Sequence, residues 1–317
     1  MPSKTVYSLY WPKTQTIYES LSKTLNHELF KETWSKSQDA IGPEFLSQWI
    51  EWVSPGLSFD QENFNFRYPT AGSSEAIREV IVDLNVKNTT LIVFKGEYEG
   101  YTAIATALKM PVVQIDRDNW LEELNSLELT KKAFFISNPS SIDGNYWPEF
   151  EDFLNFCENQ KIPLYLDFAY LGISRPSFIN LCNKECVSGI FFSLSKIFGC
   201  YYHRIGGVFL KKENPLLYGN MWFKSIPSIE FGKYLLSNYS FNEAYDLYKE
   251  YQLKAINEIS KVHGFKTLKQ SDVLFLANID KKELERSLFN LKDFERNPDS
   301  SQIRICLTPE IEGLIRK

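Results

Sequence analysis

Short apolar runs alternate with amphipathic stretches through the central part of the chain. The runs are rich in β-branched and aromatic residues, which is typical of strands buried on both faces of a sheet. The intervening stretches 74–84, 98–108 and 148–160 carry apolar residues at helical spacing. The apolar runs predicted as strands are residues 91–94, 112–115, 133–136, 164–166, 190–192 and 208–210. This alternation predicts a mainly parallel sheet between two layers of helices, a three-layer α/β/α architecture.

The pattern differs at both ends of the chain. Residues 14–53 are predicted as two helices separated by Gly42-Pro43, because both residues are strong helix breakers. The C-terminal pattern predicts a helix over 240–262, a strand at 273–276, a helix near 281–291 and a strand near 302–307. Together these patterns predict an N-terminal helical segment (1–65), a large α/β domain (66–238) and a small α+β domain (239–317).

Composition and charge narrow the function classes. The formal net charge is −5 and no basic tract exceeds two consecutive residues, so nucleic-acid binding lacks its usual electrostatic footprint. No apolar run approaches the length of a membrane span, and no apolar segment typical of a signal peptide follows the N-terminus, so we expect a soluble, cytoplasmic protein. The five cysteines and three histidines match no metal or redox spacing, so no metal site is predicted and free thiols are expected.

A lysine stands between two of the predicted strands. Lys196 follows the apolar run 188–192 and precedes the run 205–210, so it lies on a short loop between buried strands. Burying an ammonium group is costly unless the group is paired or loses its proton, and a desolvated lysine is a nucleophilic amine. A surface lysine in a hairpin loop explains this stretch, taken alone, equally well.

Three further motifs place polar groups at the ends of predicted elements. Ser73 and Ser74 precede a predicted helix, where free backbone N–H groups and hydroxyls can bind a phosphate. Asn138 and Asp167 each follow a predicted strand, at the sheet edge where ligands bind in open α/β folds. Asn138 could donate to a ligand oxygen, and the carboxylate could pair with a pyridinium nitrogen. Taken singly, each motif is better explained as a helix N-cap or a turn.

The order of these motifs carries more information than any one of them. The chain reads Gly-Ser-Ser-Glu, Tyr-x-x-Tyr, Asn-Pro-x4-Gly, Asp-x-Ala-Tyr and Ser-x-Ser-Lys, with Arg204 eight residues after the lysine. This order resembles the class I/II aminotransferase family of fold type I pyridoxal-phosphate (PLP) enzymes, in the manner of histidinol-phosphate and aspartate aminotransferases. The segment Ile303-Arg304-Ile305 resembles the family's C-terminal "R-I-x-L" strand. The resemblance covers about residues 70–317.

The resemblance implies a role for each matching residue. Lys196 would form an imine with PLP and then move the substrate's α-proton as general base. Asp167 would keep the pyridine nitrogen protonated. Asn138 and Tyr170 would donate hydrogen bonds to the phenolic oxygen of the cofactor.

The remaining roles concern the cofactor phosphate, its ring face and the substrate. Tyr98, in preference to Tyr101, would stack on the cofactor ring. Arg304 would bind the substrate's α-carboxylate in a bidentate way, the alternative being a surface arginine at a strand edge. The phosphate would be bound by Ser73, Ser74, Ser193, Ser195 and Arg204.

The implied activity is transfer of an amino group between an amino acid and a 2-oxo acid by a homodimer. The chain departs from the family pattern at Ile142-Asp143, where Pro-Thr is usual, and in a compressed segment before Gly72. These departures leave open a PLP-dependent lyase, decarboxylase, racemase or cyclase of a specialised biosynthetic pathway. A further alternative is a degenerate family member that binds a ligand without catalysis. The intact motif residues argue against it.

Overall fold

The computed structural model describes residues 38–221, 224–287 and 294–316, together with five isolated N-terminal positions (9, 19, 20, 23 and 31). Its helices are α1 (Gln38–Val53), α2 (Ser73–Val86), α3 (Glu99–Ala107), α4 (Trp120–Ser126), α5 (Phe150–Asn159), α6 (Pro215–Asn220), α7 (Ile226–Asn238), α8 (Glu243–His263), α9 (Lys281–Glu285) and α10 (Thr308–Ile315). Its strands are β1 (Leu57–Ser58), β2 (Phe66–Thr70), β3 (Thr90–Phe94), β4 (Val112–Ile115), β5 (Lys132–Ser137), β6 (Leu164–Asp167), β7 (Ile179–Asn180), β8 (Val187–Ser193), β9 (Gly206–Leu210), β10 (Lys269–Gln270), β11 (Leu276–Asp280) and β12 (Gln302–Cys306).

The central sheet has seven strands in the order β2-β9-β8-β6-β5-β3-β4. The neighbours from β8 to β4 are parallel, whereas β9 pairs antiparallel with both β8 and β2. The six strands predicted from the central apolar runs are present, which confirms the predicted α/β class. Strand β2 was not predicted because its sequence contains Arg67 and Pro69. Proline is tolerated in β2 because it is an edge strand.

Helix α1 continues through Gly42-Pro43, where the sequence predicts a break between two helices. A proline inside a helix removes one backbone hydrogen bond. The face of α1 that carries Phe45, Leu46 and Trp49 is buried in the core, and this burial outweighs the lost bond. The predicted separation is therefore wrong, because tertiary packing overrides the local break signal. The earlier part of the predicted N-terminal helical segment lies mostly outside the described residues.

The C-terminal part contains a three-stranded antiparallel sheet in the order β10-β11-β12. The predicted long helix is confirmed as α8, but the strand predicted at 273–276 is misplaced, because β11 begins at Leu276. Although Val273 is fully buried, its carbonyl accepts a hydrogen bond from Gln252 Nε2 at 3.1 Å instead of joining the sheet. The helix predicted near 281–291 is present as α9, and part of the range lies outside the described residues.

The buried apolar core is continuous between the two sheets. One cluster contains Phe134 and Leu166 of the large sheet together with Ala277 and Ile305 of the small one. The domain boundaries proposed after residues 65 and 238 therefore stay predictions. Across the described ranges, no helix combines the length and the apolar character that a membrane span requires.

Helix α1 is fixed to the sheet by aromatic stacking, which gives a test of the fold. The ring of Trp49 stacks on Phe192 at 4.0 Å and on Phe209 at 5.3 Å between centroids. We expect Trp49→Ala to lower the free energy of unfolding by about 3–5 kcal/mol in urea denaturation, because a large cavity is left. Val86→Ala, at a side chain that is 75% exposed, should change it by less than about 0.5 kcal/mol. Equal effects of the two substitutions would contradict this packing.

Candidate active site

The predicted site residues converge on the carboxyl edge of the large sheet. Strands β8, β6, β5 and β3 are neighbours and run parallel, so their carboxyl ends lie side by side. Asp167 is the last residue of β6, and Asn138 directly follows β5. Lys196 follows β8, and Tyr98 follows β3. This edge is where ligands bind in open α/β sheets.

Lys196 is buried on the loop 194–205, which joins the antiparallel strands β8 and β9. The loop is closed by a hydrogen bond from Leu194 N to Ile205 O at 3.0 Å, and Ile197 beside the lysine is buried. Burial lowers the pKa of Lys196 to about 8, and the nearby charge of Arg304 acts in the same direction. The amine is therefore far easier to deprotonate than that of a surface lysine.

Asp167 is a buried carboxyl group in the floor of the site. Its Oδ1 accepts a hydrogen bond from Ala169 N at 3.1 Å, and its Oδ2 accepts one from the Tyr101 hydroxyl at 3.3 Å. Burial raises the pKa of Asp167 to about 7, although these hydrogen bonds oppose the shift. A cationic partner would restore the charged form, which is the role that a protonated ring nitrogen can fill.

The two tyrosines of the Tyr-x-x-Tyr motif occupy different positions. Tyr98 is 38% exposed at the mouth of the site, whereas Tyr101 is fully buried beneath it. Their rings meet edge to face, with centroids 5.3 Å apart. The contact of Tyr101 with Asp167 was missed in the sequence, where the only available signal was the three-residue spacing on a helix.

Asn138 and Tyr170 are both buried beside the end of β5 and β6. Asn138 N donates to Asp167 O at 3.1 Å, and the peptide bond to Pro139 is cis. The side-chain Oδ1 of Asn138 is buried without a hydrogen-bond partner among the described residues. Burial raises the pKa of Tyr170, and the charge of Arg304 opposes the rise.

The predicted phosphate cradle lies at the start of α2. Its N-cap is Gly72, and neither serine caps the helix with its side chain, so the predicted capping role is wrong. The side chain of Ser73 hydrogen-bonds to Asp167, the last residue of β6. Arg204 Nη2 donates to Ser74 Oγ at 2.7 Å and to Ala71 O at 2.8 Å.

Close backbone approach completes the cradle. A Cβ atom on Gly206 would lie 2.4 Å from Phe192 O and 2.8 Å from the Cα of Gly72, so β9 can approach the helix start only with glycine. Ser193 and Ser195 are buried at the same place, and Ser195 N donates to Ser193 Oγ at 3.2 Å. The residues predicted to bind the phosphate are therefore brought together.

Arg304 is buried in the middle of β12, with 5% of its surface exposed. This position excludes the alternative of a surface arginine at a strand edge. Its Nη1 donates to the backbone carbonyl of Ser141, in the loop that follows Asn138. Burial lowers the pKa of Arg304 to about 10, so the guanidinium remains charged at neutral pH.

Arg296 was not found from the sequence. Its Nη1 donates to Ser141 O at 3.2 Å and its Nη2 donates to Glu97 O at 2.9 Å, which places it beside Arg304. The two guanidinium groups line a small cavity together with Gly96. The sequence carries no motif around Arg296, so only its position eight residues before Arg304 could have drawn attention to it.

Asp143, where the chain departs from the family pattern, ties the Asn138 loop to two other parts of the chain. Its Oδ2 forms an ion pair with Arg117 Nη2 at 2.6 Å. Its backbone carbonyl accepts hydrogen bonds from Ser271 Oγ at 2.6 Å and Asn278 Nδ2 at 2.7 Å. The Asp143 side chain and backbone therefore both anchor the loop that follows Asn138.

Comparison with known proteins assigns the chain to a family. The family model described as aminotransferase class I and II matches residues 12–225. No curated protein sequence matches the chain.

Solved structures of similar fold cover nearly the whole chain. L-threonine-O-3-phosphate decarboxylase from Porphyromonas gingivalis is 16% identical with a TM-score of 0.64, over 100% of this chain and 99% of that one. Histidinol-phosphate aminotransferase from Clostridium acetobutylicum is 17% identical with a TM-score of 0.66, over 99% and 96%. A PLP-bound C-S lyase from Staphylococcus hominis is 14% identical with a TM-score of 0.70, over 99% and 90%. Such low identities show a shared fold, and the three proteins carry out different reactions.

The residues at the sheet edge fit pyridoxal 5′-phosphate. The Gly72 turn and Arg204 form an anion cradle, and Asp167 is a buried carboxyl group that needs a cationic partner. The buried amide of Asn138 has one atom without a partner among the described residues, and an amide can present either its oxygen or its NH2 to a ligand. Lys196 supplies an amine of lowered pKa.

The cradle predicts that Gly72→Ala weakens cofactor binding. Gly72 has a φ of +78°, and an added Cβ would lie 2.7 Å from Arg204 Nη2, so the arginine would be displaced. We expect the PLP dissociation constant to rise about tenfold, equivalent to about 1.4 kcal/mol, in an absorbance titration.

Gly264→Ala is the matched control, because Gly264 has a φ of +71° and open space around it. It should leave PLP affinity unchanged while lowering the free energy of unfolding by about 1 kcal/mol. Unaltered PLP affinity in Gly72→Ala would contradict the cradle.

The raised pKa of Asp167 predicts how stability depends on pH in protein freed of cofactor. The unfolded carboxyl loses its proton near 3.8 and the folded one near 7, so the folded state holds more protons between these values and stability falls as pH rises. Relative to wild type, Asp167→Asn should gain about 2 kcal/mol in unfolding free energy between pH 5 and pH 8. Urea denaturation at both pH values measures this difference. Parallel pH profiles for the two proteins would show that Asp167 titrates normally.

Proposed function

Because this chain belongs to the class I and II aminotransferase family, whose cofactor is pyridoxal 5′-phosphate, we propose that it moves an amino group between an amino acid and a 2-oxo acid. The observation that carries this proposal is the presence in one site of a desolvated amine, Lys196, and a buried guanidinium, Arg304, whose charges interact. An amino acid bound through its carboxylate to Arg304 would present its α-carbon towards Lys196.

Four sets of residues are proposed to hold the cofactor, each at a different part of it. Lys196 would hold it through Nζ, and Asp167 would bind the protonated ring nitrogen. Asn138, with Tyr170, would donate to the phenolic oxygen. The phosphate would lie on the first turn of α2, bound by the hydroxyls and backbone of Ser73 and Ser74, by Ser193 and Ser195, and by Arg204.

Lys196 is proposed to carry out the proton transfers. With a pKa of about 8, roughly a tenth of the amine is uncharged at pH 7, far more than for a surface lysine, so Nζ can accept the substrate's α-proton and return it. Bound PLP supplies an electron-withdrawing ring that stabilises the charge released when the α-carbon loses that proton. Tyr98 would cover one face of the ring and limit its access to water, since it stands at the mouth of the site.

The quaternary structure is proposed to be a homodimer, as the family resemblance implies. Two exposed aromatic side chains support this proposal. Tyr202, two residues before Arg204, is 84% exposed, and Tyr218 is 51% exposed. Aromatic side chains of this kind are enriched in interfaces between subunits.

A second candidate function keeps the cofactor and changes the reaction. A decarboxylase and a C-S lyase are among the structures of similar fold, and each match covers 99% or more of this chain, as does the match to the aminotransferase. The same cofactor residues serve all three reactions, so the candidate product is carbon dioxide or an elimination product instead of a 2-oxo acid.

Transamination is tested by adding a panel of amino acids to the PLP-loaded protein. We expect at least one amino acid to convert bound PLP to pyridoxamine phosphate and to release the matching 2-oxo acid, measured by absorbance and product chromatography. Lys196→Ala should bind PLP without this conversion, because it lacks the amine that moves the proton.

The products distinguish the two candidate functions. Carbon dioxide or an elimination product without pyridoxamine phosphate would favour the decarboxylase or lyase. If no amino acid reacts in wild-type protein, or if Lys196→Ala reacts at the wild-type rate, the aminotransferase proposal is wrong.

A further inference from the structure

Glu97 is a buried carboxylate beside the site that none of the roles described above uses. It lies between the end of β3 and Tyr98, with 5% of its surface exposed. A carboxylate is rarely buried unless it is paired or fully hydrogen-bonded. Its surroundings therefore indicate what it stabilises.

Four donors from the protein surround the Glu97 carboxylate. Oε1 accepts from Ser137 N at 3.2 Å, and Oε2 accepts from Tyr98 N at 3.2 Å. Oε2 also accepts from Ser137 Oγ at 2.7 Å and from Ser141 Oγ at 2.6 Å. Two amides and two hydroxyls thus match the acceptor capacity of an ionised carboxylate, which has no proton to donate.

The two serines stand at the two ends of the segment that carries Asn138. Ser137 is the last residue of β5, and Ser141 follows Asn138 by three residues. Ser141 N donates to Ser137 Oγ at 2.6 Å, so the two residues and the carboxylate form a closed set of hydrogen bonds. Glu97 therefore fixes both ends of the loop 137–141.

The same loop also holds the arginines. The carbonyl of Ser141 accepts hydrogen bonds from both Arg296 and Arg304, and the carbonyl of Glu97 accepts one from Arg296 at 2.9 Å. A shift of Ser141 would therefore move the acceptor on which Arg304 is oriented. One carboxylate is linked in this way to the ring-binding amide and to the carboxylate-binding guanidinium.

We propose that Glu97 is a positioning residue, which holds the loop 137–141 so that Asn138 meets the cofactor ring and Arg304 meets the substrate carboxylate. This inference rests on the proposed PLP chemistry for its effect on catalysis, and on the hydrogen bonds alone for its effect on the loop. Glutamine cannot replace the glutamate, because its NH2 group would face donors and leave buried hydrogen bonds unmade.

The first test needs no cofactor. In Glu97→Gln without PLP, the amides of Ser137, Ser141 and Tyr98 should exchange with deuterium about tenfold faster or more, since their acceptor set is disrupted. Glu158→Gln is the control. Glu158 also accepts a backbone amide, from Cys186 at 2.7 Å, but Cys186 precedes β8 at the sheet edge opposite the site. Glu158→Gln should leave deuterium exchange in the loop 137–141 unchanged.

The second test separates positioning from a general effect of charge. Glu97→Gln should raise the PLP dissociation constant about tenfold, and so should the double substitution Ser137→Ala/Ser141→Ala. Combining all three substitutions should add little, because both routes remove the same hydrogen bonds. With a reactive amino acid, KM should rise more than kcat falls, because Arg304 loses its orientation.

The outcomes keep the two proposals apart. If wild-type protein fails to bind PLP, the proposed function fails, while the exchange experiment still decides the role of Glu97 in the loop. Unchanged exchange and unchanged PLP affinity in Glu97→Gln would overturn the positioning role and leave the proposed function standing. Additive losses in the combined variant would also overturn it. If Glu97→Gln does not fold, Ser141→Ala takes its place. Ser141→Ala removes one of the four hydrogen bonds to Glu97, so it should change amide exchange and PLP affinity in the same direction by a smaller amount.

Discussion

Desolvation of ionisable groups at one edge of the sheet is the constraint on which the site depends. Burial lowers the pKa of Lys196 to about 8 and raises that of Asp167 to about 7, so each group is shifted towards its uncharged form near neutral pH. A protonated ring nitrogen would restore the charge of Asp167, because an opposite charge favours ionisation. The uncharged amine of Lys196 is at the same time the form that reacts with carbonyl groups.

Residues with a strong local signal could be predicted from the sequence. Asp167 and Asn138 follow apolar runs directly, and Lys196 separates two such runs, so their place at the sheet edge follows from the pattern. Tyr101 and Glu97 carry no such signal, because their roles depend on hydrogen bonds to residues that are distant in the chain. Glu97 is recognisable only once Ser137 and Ser141 are seen around its carboxylate.

The same contrast holds for the fold. The parallel strands were predictable because burial on both faces leaves a continuous apolar run in the sequence. The continuity of helix α1 through Pro43 and the presence of strand β2 were not, because Pro43 and Pro69 are local break signals that large burial and an edge position override. Local sequence preferences therefore predict the helices and strands of this chain well. They fail where packing against distant residues stabilises a segment that contains a helix-breaking or strand-breaking residue.

The carbonyl of Ser141 has a thermodynamic consequence for any acid that binds at Arg304. Because this neutral acceptor already holds both Arg304 and Arg296, the rotational entropy of two long side chains is lost during folding and not during binding. A ligand carboxylate would gain only the difference between a charged and a neutral acceptor. A ligand with an amide or hydroxyl at that position would gain almost nothing over Ser141. The site would thus favour anions over neutral ligands, because a neutral group gains little binding free energy by replacing Ser141.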